Sequence, residues 1–96
     1  MTLFIFVRLH ALAGRHTDVQ RAACAVIDAT RREPGCLGIQ LYHSNKDGDL
    51  FYIHSQWRDE AAFEEHARLA HTRTFIATVS ELIDHPLDVV RTTAVA

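Results

Sequence analysis

Histidine is the residue of this sequence best suited to acid–base chemistry, since seven histidines occur in 96 residues and imidazole titrates close to neutral pH. His66 shares a helical stripe with Phe63, Ala67 and Ala70, and this stripe directs its ring toward the protein interior. His71 follows at a break in the helical pattern. We expect both histidines to be catalytic, transferring protons to or from a substrate. Structural roles stay open: His66 can bond to a backbone carbonyl in the core, and His71 can cap a helix or lie on the surface.

Four other side chains are predicted to contact a substrate near such a base. Trp57 ends a predicted strand, and strand alternation places Ser55 on the same face. Trp57 and Phe75 can form aromatic walls, with core packing as the alternative for both. Ser55 can donate a hydrogen bond, but no base adjoins it in sequence, which disfavours a nucleophilic role. Arg8, in the first strand, can anchor an anionic substrate or pair with an acidic residue of a partner chain.

The sequence predicts neither a metal site nor a bound cofactor. His66 and His71 are separated by five positions on a broken helix, so we expect their rings on different sides, and no carboxylate companion is evident. The four glycines form neither a G-x-G-x-x-G nor a G-x-x-x-x-G-K loop. A tightly bound flavin or nicotinamide is therefore not expected.

Charge and hydropathy narrow the class of partner. The net charge is -2 and no segment concentrates lysine and arginine, which argues against nucleic acid. The apolar run Leu3–Val7 is far shorter than a membrane span, and no export signal is recognisable. We expect a cytoplasmic protein that binds no membrane, with Cys24 and Cys36 reduced.

The elements that would position these residues follow from periodicity and breaker residues. Four strands are predicted, at Leu3–Leu9, Leu37–Ser44, Leu50–Trp57 and Leu87–Val95. One helix is predicted from a capping box at Thr17 to before Pro34, and a second layer from an N-cap at Asp59, interrupted near His71 and resumed from a cap at Thr72. The order β-α-β-β-α-β predicts a single ferredoxin-like α+β domain over residues 1–96, with helices on one face of an antiparallel sheet.

The first and third strands are apolar on both faces, although helices can cover only one. Phe4 and Phe6 alternate with Leu3, Ile5 and Val7 in the first strand. An aromatic face of this extent is unusual on a monomer, and a two-fold pairing of sheets would bury it. We expect a homodimer.

Three segments together resemble the antibiotic biosynthesis monooxygenase family. They are Glu33-Pro34-Gly35-Cys36-Leu37-Gly38, then Gln56-Trp57-Arg58-Asp59-Glu60-Ala61, then His66 and His71 with Phe75. The resemblance covers nearly the whole chain. It implies ferredoxin-like protomers that pair into a dimeric α+β barrel, with a small pocket in each protomer between sheet and helices.

The chain differs from the family pattern at two positions. Family members often carry glutamate two residues before the tryptophan, where this chain has Ser55, so any role of that carboxylate is lost or moved. Val7 stands where the haem-degrading branch has asparagine, which disfavours haem degradation.

The resemblance and the inward His66 together predict a cofactor-independent monooxygenase that oxidises a small quinol or phenolic substrate with O2. Such chemistry is feasible because phenolates and hydroquinone anions themselves supply electrons to O2. Two alternatives remain open: a non-oxidative isomerase or decarboxylase of a small metabolite, and a non-catalytic dimer that binds a small ligand.

Overall fold

The computed structural model describes residues 1–96 and contains four strands and three helices. In chain order these are β1 (Leu3–His10), α1 (His16–Thr30), β2 (Cys36–His43), β3 (Leu50–Trp57), α2 (Glu60–Arg68), α3 (Ala70–Ser80) and β4 (Asp88–Thr92). The strands form one antiparallel sheet in the order β2-β3-β1-β4. The predicted ferredoxin-like α+β order is confirmed, with the second helical layer divided into α2 and α3.

Alternation along the central strands separates an inner face of the sheet, which packs on the helices, from an outer face. On β3, Phe51, Ile53, Ser55 and Trp57 are buried, whereas Tyr52, between Phe51 and Ile53, is exposed. Ile5 of β1 pairs with Ser55 and is also buried, so inner positions of the two strands lie side by side. The inner face thereby contributes much of an 18-residue apolar core.

The helix starts were predicted with mixed success. Asp59 caps α2 as expected, because its carboxylate accepts a hydrogen bond of 2.8 Å from the backbone N–H of Ala62, which also lowers the pKa of Asp59. The capping box at Thr17 is wrong. The Arg15 carbonyl already accepts a hydrogen bond from the N–H of Val19, so α1 begins one residue before Thr17 and has no side-chain cap.

The break in the second helical layer lies at Leu69, whose extended backbone (φ -71°, ψ 149°) separates α2 from α3. The predicted cap at Thr72 is wrong, because α3 starts at Ala70 and Thr72 lies within it. The Thr72 hydroxyl instead lies 3.3 Å from the His66 ring. No helix here combines the length and apolar character that crossing a membrane requires.

β4 is shorter than predicted, because it pairs only with the segment Phe4–Arg8 of β1. Its register sets Val89 opposite Val7 and Arg91 opposite Ile5. Since Val7 and Ile5 are inner-face positions, Val89 and Arg91 also point toward the helices.

Candidate active site

One carboxylate joins two histidines between the turn after α1 and the two later helices. Glu33 Oε2 lies 2.8 Å from His66 Nδ1 and 2.7 Å from His71 Nε2. The side chains of Glu33 and His66 are only 11% and 12% exposed, and that of His71 is 29% exposed. We call these three residues the interior cluster.

The local sequence explains why these side chains meet. A Cβ atom at Gly35 would collide with Ala62 of α2, so only glycine lets the turn that carries Glu33 approach this helix. The N–H of Arg58 donates to the Gly35 carbonyl at 2.9 Å and ties the turn to the end of β3. The break at Leu69 then directs α3 so that His71 reaches the same carboxylate as His66.

The expected separation of the two histidines is therefore wrong. Their rings lie with centroids 6.0 Å apart, and Glu33 is the carboxylate companion that the sequence did not reveal. The spacing argument failed because the kink between α2 and α3 changes the angular relation of the rings. Glu33 lies in a segment quoted for the family resemblance, but nothing in the spacing linked it to either histidine.

The hydrogen bonds determine which nitrogen of His66 is available. An ionised carboxylate only accepts, so Nδ1 carries the proton that is donated to Glu33, and Nε2 has no partner within the chain. Burial lowers the pKa of His66, outweighing the neighbouring Glu33, which raises it. His66 is accordingly neutral near pH 7, with a free lone pair on Nε2.

His66 lines a cavity of about 290 Å³ between the inner face of the sheet and the helices. Eleven of its sixteen lining residues are hydrophobic, and they come from every helix and strand of the fold. The polar lining residues are Thr30, Ser55, His66, Thr72 and Arg91. An apolar hollow with a few converging polar groups is the usual form of a small-molecule site.

Ser55 offers a hydrogen-bond donor to this cavity, and Trp57 holds its hydroxyl oxygen in place. Trp57 is fully buried, and its indole N–H donates to Ser55 Oγ at 2.9 Å. The Ser55 hydroxyl proton has no acceptor within the chain, so it is free to bind an oxygen atom of a ligand. The indole ring also packs against the imidazole of His66, with centroids 4.6 Å apart, and restricts its orientation.

The six predicted site residues divide into three groups. His66, Ser55 and Phe75 line the cavity, which brings the predicted base, a hydrogen-bond donor and an aromatic side chain together. Trp57 lies directly behind them, and His71 lies beyond Glu33 against a hollow between α1 and α3.

Arg8, the remaining predicted contact, is not brought to the cavity. It alternates with the buried Val7 and Leu9 and is therefore exposed on the outer face of the sheet. A substrate held between sheet and helices would be on the opposite side of β1 from its guanidinium group.

Arg91 is the cation that the structure places at the cavity instead. Its guanidinium group lies 2.5 Å from Glu64 Oε1 and stacks over the ring of Phe63 at 5.0 Å from the centroid. The side chain is 40% exposed, which locates it where the cavity meets solvent. Strand alternation could have indicated this position, but only with the register of β4 already known.

The cysteines carry no comparable chemistry. Both are free, and Cys24 is exposed at the edge of a shallow hollow between α1 and the sheet. Burial raises the pKa of the Cys36 thiol, which keeps it protonated and unreactive at neutral pH.

Comparison with known proteins gives this geometry a context. The family model described as antibiotic biosynthesis monooxygenase matches residues 2–78. The chain is 36% identical over 70 residues to YcnE, a candidate monooxygenase of Bacillus subtilis, covering 73% of this chain and 74% of that protein. It is 34% identical over 76 residues to Rv0793, a candidate monooxygenase of Mycobacterium tuberculosis, covering 75% of this chain and 74% of that protein.

Solved structures resemble the fold over almost its full length. The structure of Rv0793 superposes with a TM-score of 0.93 at 24% identity, covering 100% of this chain and 97% of that one. The crystal structure of PA3566 from Pseudomonas aeruginosa superposes with a TM-score of 0.90 at 28% identity, covering 99% and 95%. From the match over residues 2–78 and the relatives above 30% identity, the chain belongs to the antibiotic biosynthesis monooxygenase family.

Proposed function

We propose that this protein is a cofactor-independent monooxygenase that oxidises a small quinol or phenolic substrate with O2. The observation that supports it best is the Glu33–His66 pair, in which the carboxylate fixes the imidazole and leaves Nε2 free beside an apolar cavity. Family membership supports the reaction class, and this pair supports the choice of His66 as the base.

In the proposed mechanism a phenolic hydroxyl donates its hydrogen bond to His66 Nε2. The imidazole removes the proton, and the charge that develops on the ring is stabilised by Glu33 at 2.8 Å. The Ser55 hydroxyl, held by the indole N–H of Trp57, is placed to donate to an oxygen of the substrate anion. His71 acts as a positioning residue, because it holds the same carboxylate oxygen from the other side.

The oxidation itself needs only substrate and O2. The phenolate transfers electrons to O2, and one oxygen atom forms a bond to a ring carbon that loses its hydrogen. The product is a quinone, and the second oxygen atom leaves as water. Four electrons pass from the substrate to O2, which balances the reaction without flavin or metal. The apolar walls, among them Ile5, Val7, Ile53 and Phe75, limit the access of water to the anion.

A second candidate function uses the same base without O2. The Glu33–His66 pair carries out proton transfer only, and that step also suffices for an isomerase or a decarboxylase of a small metabolite. The two functions therefore differ in their requirement for O2 and share their dependence on His66.

We also propose that the protein functions as a homodimer joined through the outer face of its sheet. Phe6, Tyr42, Tyr52 and Val90 leave 40–52% of their surfaces exposed on this face, which no helix covers. A second copy would bury this apolar surface with two-fold symmetry. The cytoplasmic location and the single domain over residues 1–96 stay predictions.

Oxygen consumption measures the proposed function directly. Chelator-treated protein would be mixed with a panel of hydroquinones, naphthols and larger phenols without added flavin, and product would be analysed after use of ¹⁸O2. We expect uptake with at least one member, one labelled oxygen in the quinone, and a loss of roughly 10²-fold or more in His66→Ala. Turnover that proceeds without O2 would support the isomerase or decarboxylase, and thermal stabilisation without any turnover would support a binding protein.

A further inference from the structure

The interior cluster is built on one largely buried carboxylate, that of Glu33. The side chain of Glu33 is 11% exposed, and the basic side chains within 4.0 Å of its carboxylate are those of His66 and His71. No lysine or arginine pairs with it. Buried carboxylates in proteins are usually paired with a positive charge or coordinate a metal ion, so a bound cation would stabilise this one.

The donor atoms of the cluster are suited to a metal ion. Glu33 Oε2, His66 Nδ1 and His71 Nε2 lie within 4.8 Å of one another, and they come from three separate segments of the chain. Ligand atoms around a tetrahedral zinc ion are roughly 3.3 Å apart, given bonds of about 2.0–2.1 Å. The oxygen-to-nitrogen distances of 2.7 and 2.8 Å need to lengthen by about half an ångström, and the two ring nitrogens, at most 4.8 Å apart, need to approach each other by up to about 1.5 Å.

A metal ion could reach the interior cluster from solvent and find further ligands there. Glu33 lines an open hollow shared with Pro34 and Arg58, so an ion can enter from solvent without crossing the apolar cavity. The Thr72 hydroxyl lies 3.3 Å from His66 Nδ1 and, with solvent, can complete the coordination. Two imidazoles and one carboxylate form a ligand set that first-row divalent metals such as Zn²⁺, Co²⁺ and Ni²⁺ accept.

We propose that Glu33, His66 and His71 form a binding site for one divalent transition-metal ion per chain. The site does not depend on the oxygenase reaction. Binding would, however, exclude the use of His66 as a base: with the metal on Nδ1, the ring proton of the neutral imidazole moves to Nε2, which then has no lone pair for a substrate.

Cobalt titration of the full, tag-free and chelator-treated chain tests the site. Co²⁺ absorbs in the visible when nitrogen and oxygen ligands bind it with low symmetry, and Zn²⁺ should displace it. We expect one ion per chain, and an affinity lower by at least about tenfold in His71→Ala and in Glu33→Gln, since even the loss of an outer-shell partner has an effect of that size.

His10→Ala is the matched control, because His10 also contacts carboxylates but lies outside the cluster. It should bind Co²⁺ as the unaltered chain does. Circular dichroism would establish that each variant is folded. If His71→Ala is not folded, His71→Gln takes its place. Unchanged Co²⁺ affinity in both His71→Ala and Glu33→Gln, or no binding at 1 mM Co²⁺, would overturn the proposal.

Discussion

Two histidine–carboxylate clusters lie near opposite ends of β1, and only one leaves a histidine nitrogen without a partner beside a cavity. In the rim cluster, formed by His10, Asp47 and Asp84, the imidazole is 2.6 Å from Asp84 through Nδ1 and 3.1 Å from Asp47 through Nε2. In the interior cluster the contacts to Glu33 are 2.7 and 2.8 Å. The hydrogen-bond lengths are thus similar, and they do not distinguish the two.

Burial and free nitrogens do distinguish them. The hydrogen bonds that the His10 ring donates to Asp84 and Asp47 raise the pKa of His10, whereas burial lowers the pKa of His66. His10 uses both ring nitrogens for carboxylates, so it favours the imidazolium and has no nitrogen left for a ligand. His66 uses one nitrogen and presents the other beside a cavity. A histidine–carboxylate contact therefore indicates a base only when one nitrogen remains free.

Replacing one carboxylate in each cluster should give the largest difference between the clusters, measured as kcat. Glu33→Gln removes the group that fixes the His66 tautomer, and we expect kcat to fall on the order of 10²-fold with little change in KM, since losing such a carboxylate in hydrolases costs up to about 10⁴-fold. Asp84→Asn changes the rim cluster in the same way and should leave kcat within about twofold. Steady-state oxygen uptake measures both values.

An equal loss of kcat in the two variants would contradict the division between the clusters. A loss confined to KM in Glu33→Gln would also contradict it, because a positioning role for this carboxylate predicts an effect on the chemical step.

The two clusters also differ in the packing around their histidines. Trp57→Phe removes a fully buried indole that packs on His66 and leaves the buried Ser55 hydroxyl without its donor. We expect this to lower the free energy of unfolding by about 2–3 kcal/mol. His10→Gln alters contacts among partly exposed side chains, so its effect should be clearly smaller.

Urea unfolding of the two variants beside the unaltered chain provides the comparison. If His10→Gln destabilised the protein as much as Trp57→Phe, the rim cluster would be a principal structural element and not a surface contact.

The sequence predicted the fold more completely than the site, and the residues show why. Strand alternation and the cap at Asp59 are local properties, and they located β3 and the start of α2 correctly. Glu33 was missed because its position depends on a long-range contact, the close approach of Gly35 to Ala62. Arg91 was left out of the predicted site because its direction depends on the register between β4 and β1.

The pH dependence of stability is the smallest and most specific difference between the clusters. Because the folded pKa of His66 is lowered, its contribution to stability is present above the unfolded pKa of about 6.5 and is lost as pH falls through the folded value. Because the folded pKa of His10 is raised, its contribution is complete below about pH 6.5 and is lost as pH rises through the folded value.

Urea unfolding at several pH values between about 5 and 8 would give the free energy of unfolding of the chelator-treated protein, of His66→Gln and of His10→Gln. We subtract the free energy of unfolding of each variant from that of the unaltered chain at each pH. This difference should rise with pH for His66→Gln and fall with pH for His10→Gln. Two slopes of the same sign would mean that burial does not separate the two histidines, and the assignment of the base to His66 would lose its electrostatic support.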